Sequence, residues 1–416
     1  MGLSVKSQSG VKNPSKYLGN ELEYVKKVLA SESWSATGGS WNNALERKFA
    51  DLFGVKYAVA LNSGTSTLHA ALEAAGVGPG DEVISPALTV IMDSTATIHA
   101  NAVPVYADID PETWTMDPAD AAKKITKKTK AIIPVSIYGL PCDMDPIMEI
   151  AERHGLAVIE DNAQCMLSKY KGRLAGTIGH MASYSFENTK HISCGEGGMI
   201  ITNDEQYAEA VRKLGGHGFK NLMAEEGRIR LNQDLFQNPN YKRHDVLGWN
   251  YRLSEFNAAI AFAQLERVDE LVSLRVKSAE LFIDVMAGCD FLIPQKCPEG
   301  YTNSYYTLGA IYAGREKIGV SWEDFRKEYI KNGGDGVYGA WSVPYLEPVI
   351  ETMAFAKRCP WVYSSVDYKK GLCKTAEAVQ PKLMQFKTNY RNLELAKAKA
   401  EILGETIRKL DKRRHS

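Results

Sequence analysis

Apolar residues in the first half of the chain follow two alternating patterns, short continuous runs and longer segments with helical spacing. In the longer segments apolar residues recur every third or fourth position, and several end at glycine, as STLHAALEAAG (66–76) and PIMEIAERHG (146–155) do. Between them stand short runs rich in Val, Ile and Ala, which we predict as strands: KYAVAL, DEVISP, VPVYADI, KAIIPVSIYG and LAVIED.

These strands are almost continuously apolar, which is typical of a sheet that is buried on both faces. Such sheets are mostly parallel and carry helices on each side. Two more β-rich runs, HMASYSFEN (180–188) and GGMIITND (197–204), lie close together in the chain, and we expect them to run antiparallel to the rest. The pattern therefore predicts an α/β fold on a mostly parallel sheet.

The organisation changes in the last third of the chain. A long apolar helix predicted over 254–286 leads out of the alternating region, and the later runs YTLGAIYAG and WEDFRKEYIKNGG have a different order of elements. We therefore predict a large domain over residues 1–270 and a smaller C-terminal α+β domain over 271–416. The polar stretch between Gly218 and Gly248 is predicted to be a long loop.

Composition narrows the class of protein. Fifty basic and fifty acidic residues cancel, so net charge gives no reason to expect a nucleic acid or a charged membrane as partner. The N-terminus lacks the apolar core of a signal peptide, and no window reaches the ~20 apolar residues of a membrane span. The seven cysteines are scattered and never spaced as CxxC, which argues against disulfides or a metal centre. We expect a cytoplasmic protein.

The turn after the first predicted strand is rich in small and hydroxylated residues. Asn62, Ser63, Gly64 and Thr65 precede a helix there. Such a turn leaves backbone N–H groups free at the positive end of the helix, where phosphate is commonly held. The alternative is an ordinary helix cap by Ser63 or Thr65.

A carboxylate follows another strand. Asp161 in VIEDNAQ comes at the end of an apolar run, at the sheet edge where open α/β folds bind ligands. A buried carboxylate there can pair with a protonated pyridine nitrogen, and Gln164 can donate to a phenolic oxygen beside it. The alternative for Asp161 is a cap of the next turn.

A lysine stands in a loop between the last two predicted strands of the large domain. Lys190 is flanked by neutral residues, and Ser185 precedes it by five positions. A partly desolvated lysine loses its proton readily, as a lysine that binds a carbonyl cofactor must. Alone, Lys190 is equally compatible with a solvated loop lysine, but the ordered set of phosphate turn, Asp161, Gln164, Ser185 and Lys190 favours a cofactor site.

The motifs NSGT (62–65), IEDNAQ (159–164) and SFENTKHISCGEGG (185–198) resemble those of the DegT/DnrJ/EryC1/StrS family of sugar aminotransferases. The resemblance covers roughly the first two-thirds of the chain. It implies the aspartate aminotransferase fold (type I), with a seven-stranded sheet in the large domain, and the cofactor pyridoxal 5'-phosphate, which cycles with pyridoxamine 5'-phosphate.

The resemblance also implies roles for individual residues. Lys190 would bind the cofactor covalently, Asp161 would bind its ring nitrogen and Gln164 its ring hydroxyl. The phosphate would be bound by three residues of this subunit, Gly64, Thr65 and Ser185. Asn250, in GWNYR, matches an asparagine that reaches the phosphate from the neighbouring subunit, which implies an obligate homodimer with shared active sites.

Two features depart from the family pattern. Val90 stands where the family commonly has an aromatic ring over the cofactor, and the loop between Gly218 and Gly248 is longer than usual. Stacking on the cofactor is therefore expected to be weaker or to come from another residue. The weaker candidates for the substrate site are Gly39, His191, His217 and Arg243.

The implied reaction is amino transfer from an amino acid, L-glutamate by family habit, to a keto-sugar, most simply a nucleotide-linked 4-keto-6-deoxy sugar. Three alternatives stay open. One is a sugar dehydratase, against which Lys190 argues, because related 3-dehydratases have histidine at that position. Another is amino transfer to a cyclitol or an eight-carbon keto-sugar. The third is a cofactor-binding regulator on the same scaffold.

Overall fold

The structure is a computed structural model that describes residues 12–227, 229 and 231–412. Residues 1–11, on which the expectation of no signal peptide mainly rests, lie outside the described residues. The strands are β1 Tyr57–Leu61, β2 Glu82–Pro86, β3 Val103–Ala107, β4 Thr129–Ile132, β5 Ala157–Asp161, β6 Lys169–Tyr170, β7 Arg173–Leu174, β8 Met181–Ser185, β9 Gly198–Thr202, β10 Leu292–Pro294, β11 Leu308–Tyr312, β12 Tyr338–Gly339 and β13 Leu383–Phe386.

Helices connect these strands and cover both faces of the larger sheet. They are α1 Glu21–Ser31, α2 Trp41–Phe53, α3 Gly64–Ala74, α4 Met92–His99, α5 Pro118–Lys123, α6 Met144–His154, α7 Glu205–Gly215, α8 Gln233–Gln237, α9 Glu255–Leu265, α10 Val268–Met286, α11 Gly314–Ile318, α12 Trp322–Lys331, α13 Pro348–Glu351, α14 Pro360–Tyr363, α15 Lys374–Val379 and α16 Leu393–Asp411. Short 3-10 helices cover Ile137–Gly139, Pro344–Leu346, Ala356–Arg358 and Gln380–Lys382.

The large sheet has seven strands in the order β1-β9-β8-β5-β4-β2-β3. Only β9 is antiparallel to its neighbours, β1 and β8, whereas β8 pairs with β5 in parallel. The expectation that both runs after residue 180 are antiparallel was therefore wrong for β8. The predicted mostly parallel seven-stranded sheet is confirmed.

Alternate residues of each strand pack into different hydrophobic cores. Val59 and Ile159 face the core formed with α3, α4 and α7, while Ala58 and Val158 lie on the opposite face of the sheet. Burial on both faces is the reason that the strands are almost continuously apolar.

The predicted long helix over 254–286 is two helices. The break falls at Glu266 and Arg267, where Arg267 leaves the helical conformation and its guanidinium binds Glu270. Helix α9 packs on α1 and α2, whereas α10 packs on α16. Apolar periodicity continues across the break because both helices bury a face, so the pattern alone could not reveal that the helix is interrupted.

A four-stranded antiparallel sheet in the order β10-β11-β13-β12 follows, with α10, α12 and α16 against it. The segment between Val343 and Val379 instead packs into the core of the large sheet, where the Tyr363 and Tyr368 hydroxyls donate to the carbonyls of Ala102 and Pro104. The division into 1–270 and 271–416 remains a proposal, supported by the second sheet and qualified by this returning segment.

Candidate active site

Strands β1, β5 and β8 point the same way, so their carboxyl ends meet at one edge of the sheet. A cavity of about 500 Å³ lies at that edge. Residues predicted from separate motifs line it together, namely Gly64, Thr65, Asp161, Gln164, Ser185 and Lys190. The topology thus brings together six candidates that are up to 126 positions apart in the chain, from Gly64 to Lys190.

Helix α3 begins at this cavity. The Ser63 hydroxyl accepts from the Ser66 N–H at 3.0 Å and caps the helix. Gly64 and Thr65, in the first turn, both line the cavity. A Cβ atom added to Gly64 would lie 2.9 Å from Cβ and 3.3 Å from Oγ of Ser185. The turn and the Ser185 hydroxyl therefore form one cradle, and both the capping and the phosphate interpretations of the turn are compatible with it.

Asp161 ends β5 and is only 3% exposed. Its Oδ1 accepts from the Ala163 N–H at 2.8 Å. Burial raises the pKa of Asp161, while the Ala163 N–H and the charge of Lys190 oppose that rise. A buried carboxylate with a cation across the cavity is suited to bind a protonated ring nitrogen.

Gln164 is held in one orientation. The Tyr138 N–H donates to Gln164 Oε1 at 2.9 Å. Tyr138 has a left-handed backbone with φ of 61°, and this unusual conformation presents its N–H to the glutamine. Because Oε1 is already engaged, the Gln164 amide nitrogen is the group left to donate to a ligand.

Lys190 lies in a loop whose backbone carbonyl groups accept hydrogen bonds from basic side chains. The buried Arg275 guanidinium donates to the carbonyls of Thr189, Lys190 and Tyr306. Lys16 Nζ also donates to the Lys190 carbonyl, at 2.5 Å, and burial together with Arg275 lowers the pKa of Lys16 to about 7. The Lys190 Nζ lies over the Tyr306 ring, 4.6 Å from its centroid. The Arg275 guanidinium and the Lys16 amine thus hold the backbone of this loop, and the Lys190 side chain lines the cavity.

His191 has a different environment from that of Lys190. It is 3% exposed, and its Nε2 donates to the Ser304 carbonyl at 3.0 Å. Burial, with Arg275 nearby, holds the pKa of His191 well below its usual range, so the ring is neutral. It does not line the cavity, and its hydrogen bond favours a packing role over a substrate contact.

Val90 does line the cavity. Three aromatic residues line other parts of the wall, namely Tyr138, Tyr306 and Trp341. Trp341 remains 56% exposed, and it belongs to the C-terminal part of the chain, which the family motifs do not cover. Aromatic surface for stacking is therefore available from elements other than the loop that carries Val90.

Gly39 and His217 lie away from this cavity. A Cβ atom on Gly39 would clash with the Glu255 side chain, whose carboxylate accepts from the N–H groups of Trp41 and Asn42. His217 has a left-handed backbone, with φ of 65°, and donates its N–H to the Trp249 carbonyl. Both residues have structural roles within the described subunit.

Arg243 and Asn250 also lie outside the cavity of their own subunit. The Arg243 guanidinium donates to the carbonyls of Tyr241 and Phe236 within the long loop. Asn250 is exposed beside β1, and its carbonyl accepts from Asn62 Nδ2 at 3.3 Å. An exposed Asn250 is compatible with the predicted role toward a neighbouring subunit, which stays a prediction.

The residues that hold the Lys190 loop in place could not be identified from the sequence. Arg275 lies in the middle of an amphipathic helix, and Lys16 lies before the first helix, so neither is adjacent to a motif. Tyr306 lies in the tyrosine-rich stretch YTNSYYT (301–307), which is not one of the motifs. Their roles depend on contacts across the fold that local patterns do not encode.

The described residues also bear on two other classes of protein, membrane-spanning and metal-binding ones. No helix among them is both long enough and apolar enough to cross a bilayer. Within the same residues, no group of three or more His, Cys, Asp and Glu side chains is arranged to hold a metal ion.

Comparison with known proteins identifies the family. A model of the DegT/DnrJ/EryC1/StrS aminotransferase family matches residues 17–333. The chain belongs to this family. The X-ray structure of the aminotransferase from Psychrobacter cryohalolentis is similar, with a TM-score of 0.83 and 27% identity, over 98% of this chain and 100% of that one. The resemblance noted in the motifs and the predicted aminotransferase fold are both confirmed.

Two curated relatives are informative. The GDP-perosamine synthase of Caulobacter vibrioides is 43% identical over 258 residues, which are 62% of this chain and 64% of that protein. The match therefore spans just under two-thirds of that relative's length. The pleiotropic regulatory protein of Geobacillus stearothermophilus is 35% identical over 343 residues, 82% of each chain.

Proposed function

We propose that this protein is a pyridoxal 5'-phosphate-dependent aminotransferase that moves an amino group from an amino acid to a keto-sugar. The observation that carries the proposal is one cavity that holds a half-buried lysine, a buried carboxylate, an oriented amide and a helix N-terminus. Those groups match the amine, ring nitrogen, ring hydroxyl and phosphate contacts that the cofactor requires.

The residues present fit the cofactor. The clearest sign is the cradle of Gly64 and Ser185, since a single Cβ atom would fill it. Gly64, Thr65 and Ser185 would hold the phosphate, and Asp161 and Gln164 would hold the two polar atoms of the ring. The cavity of about 500 Å³ is also large enough for a cofactor with part of a substrate.

The protein groups have separate tasks in this proposal. When bound, the cofactor supplies an electron sink for the carbanion formed at the α-carbon of the amino donor. Asp161, as a carboxylate, holds a proton on the ring nitrogen. Lys190, as a neutral amine, would take the proton from the α-carbon of the donor and deliver it to the C4′ carbon of the cofactor. Arg275 and Lys16 keep the Lys190 backbone in place by binding carbonyl groups.

For the acceptor, we propose a nucleotide-linked 4-keto-6-deoxy sugar, with L-glutamate as the donor. The name of the Caulobacter relative supports a nucleotide-linked aminosugar product. Trp341, exposed at the cavity wall, offers an apolar surface for a large acceptor. A cyclitol or an eight-carbon keto-sugar is the alternative acceptor. We also propose a homodimer in which Asn250 reaches the phosphate of the neighbouring site.

The test is a spectroscopic half-reaction. The enzyme is loaded with pyridoxal phosphate, and glutamate is added until the absorbance of the bound cofactor converts to that of pyridoxamine phosphate. Nucleotide-linked keto-sugars, a cyclitol ketone and an eight-carbon keto-sugar are then added singly. We expect a nucleotide-linked keto-sugar to restore the original absorbance, with Lys190→Ala as the inactive control. If glutamate causes no conversion, or another amino donor alone does, the donor assignment is wrong.

The name of the Geobacillus relative favours a second candidate, a regulatory protein on the same scaffold. The addition of amino donors to the cofactor-loaded protein gives different results for the two functions. A regulator would bind the cofactor without releasing a keto acid from any amino donor. Keto acid released in proportion to cofactor would support catalysis, and its absence across the amino acids would favour regulation.

A further inference from the structure

A second carboxyl group lies behind the candidate ring-binding aspartate. Asp93, in the first turn of α4, is 0% exposed. The Thr89 hydroxyl donates to its Oδ2 at 2.6 Å. Its Oδ1 is buried and receives no hydrogen bond from any donor in the described part of the chain. An ionised carboxylate with one oxygen left this way in the interior would be strongly destabilising.

The neighbour of Asp93 is itself a carboxyl group. Asp161 and Asp93 are close enough to interact both as charges and through a hydrogen bond. The other titratable groups nearby are Tyr106 of β3, which feels the charge of Asp93, and Lys190, which acts on Asp161. Burial and the Asp161 charge raise the pKa of Asp93 well above its usual range.

The hydrogen bonds and charges around Asp93 and Asp161 determine which of the two carboxyl groups carries a proton. Two ionised carboxylates cannot hydrogen-bond to each other, since both only accept. A single proton on Asp93 gives Oδ1 a hydrogen to donate and satisfies that otherwise unpaired atom. Asp161 has the Ala163 N–H and the Lys190 charge to stabilise its ionised form. The proton of the pair therefore belongs on Asp93.

We propose that Asp93 is a positioning residue that stays protonated at neutral pH and donates a hydrogen bond from its carboxyl group to Asp161. This fixes the orientation of the Asp161 carboxylate while leaving lone pairs for the cofactor ring nitrogen. The cofactor part of this role rests on the proposed function, whereas the shared proton does not.

The first arm of the test uses cofactor-free protein and the variant Asp93→Asn, which keeps the shape and can still donate. The folded wild type holds a proton that the unfolded chain releases above about pH 4. Its stability therefore falls as pH rises from there toward the raised pKa, and the unfolding constant rises by up to about tenfold per pH unit for that proton. We expect denaturant unfolding between about pH 5 and 8 to show that the stability of Asp93→Asn falls less steeply with pH than that of wild type, by the equivalent of one proton.

The second arm measures the dissociation constant of pyridoxal phosphate by absorbance titration. Asp93→Asn should bind within about threefold of wild type, because its amide replaces the donor. Asp93→Leu, of the same branched shape without a donor, should bind about tenfold more weakly or worse, as expected for the loss of a hydrogen bond to a charged group. A purely structural role would lower stability in Asp93→Leu without this difference in affinity between the two variants.

An unchanged pH slope in Asp93→Asn would overturn the proposal, and so would a folded Asp93→Leu that binds the cofactor as tightly as wild type. If Asp93→Leu does not fold, the pH slope of Asp93→Asn decides. Failure of wild type to bind pyridoxal phosphate would instead overturn the proposed function. The pH slope of the cofactor-free protein distinguishes the two failures, because it needs no cofactor.

Discussion

Adding one methyl group at Gly64 should separate cofactor binding from folding. Gly64 is the first residue of α3 and does not have a left-handed backbone, so alanine fits its conformation. The new Cβ atom would stand 2.9 Å from Cβ of Ser185 and 3.3 Å from its Oγ. One of the two side chains must move, and the Ser185 hydroxyl is part of the proposed phosphate cradle.

The expected effects on folding and on binding differ in size. Overpacking costs about 1–3 kcal/mol, and replacing glycine by alanine in a helix returns about 0.5–1 kcal/mol. Fold stability should therefore fall by about 2.5 kcal/mol at most. A displaced hydroxyl loses a hydrogen bond to a charged phosphate, which is about 1.5–3 kcal/mol, or roughly 10- to 150-fold in affinity.

The assay is an absorbance titration with pyridoxal phosphate beside urea denaturation of the same samples. Gly78→Ala is the matched control, because a Cβ atom at Gly78 meets nothing within 4 Å and its backbone is not left-handed. We expect the control to bind like wild type. Wild-type affinity in a folded Gly64→Ala protein would refute the placement of phosphate at this turn.

Three more predictions follow from the same geometry. Asp161→Asn should lower the rate of amino transfer by about a hundredfold or more, because a neutral amide does not favour a protonated ring nitrogen. Circular dichroism should show an intact fold. A rate near that of wild type would reject the role assigned to Asp161. Glu46→Leu should lower the free energy of unfolding in urea by about 3–5 kcal/mol, because it leaves the buried Arg212 without its counter-charge. A loss under about 1 kcal/mol would contradict a stabilising role for this ion pair. Mixing Lys190→Ala and Asn250→Asp subunits should restore activity that neither variant has alone, because a hybrid dimer contains one intact site. No recovery of activity after confirmed subunit exchange would argue against a site shared between subunits.

The main fold and the order of its strands and helices could be predicted from the sequence, because the strands of the large sheet bury both faces and most of the helices packed on it bury one. Val59 and Ile159 lie in apolar runs for that reason. The direction of β8 could not be predicted, because a strand buried on both faces is equally apolar in a parallel and in an antiparallel pair. The return of the segment with Tyr363 and Tyr368 to the large sheet also has no periodic signal, because it consists of short turns and helices.

The cavity residues of the motifs could be predicted because each lies at or near the carboxyl end of a strand or at the start of a helix. Asp161 and Gly64 are examples, and the parallel topology makes their positions converge. Asp93 could not be predicted in this way. In MDSTATIHA it is one polar residue among several on a short helix, and its importance comes from burial against Asp161. Arg275 was missed for the same reason, since only the fold brings it to the Lys190 carbonyl.

The attachment of the cofactor to Lys190 is the central claim, and chemical trapping tests it most directly. Enzyme loaded with pyridoxal phosphate is reduced with borohydride, digested, and mapped by mass spectrometry. We expect one major modified peptide, with the label on Lys190, and none in Lys190→Ala. Lys16 is the informative competitor, because burial and Arg275 lower its pKa to about 7 and it lies against the Lys190 carbonyl. Label on Lys16 or another lysine in the wild type, or no label at all, would show that Lys190 does not bind the cofactor covalently.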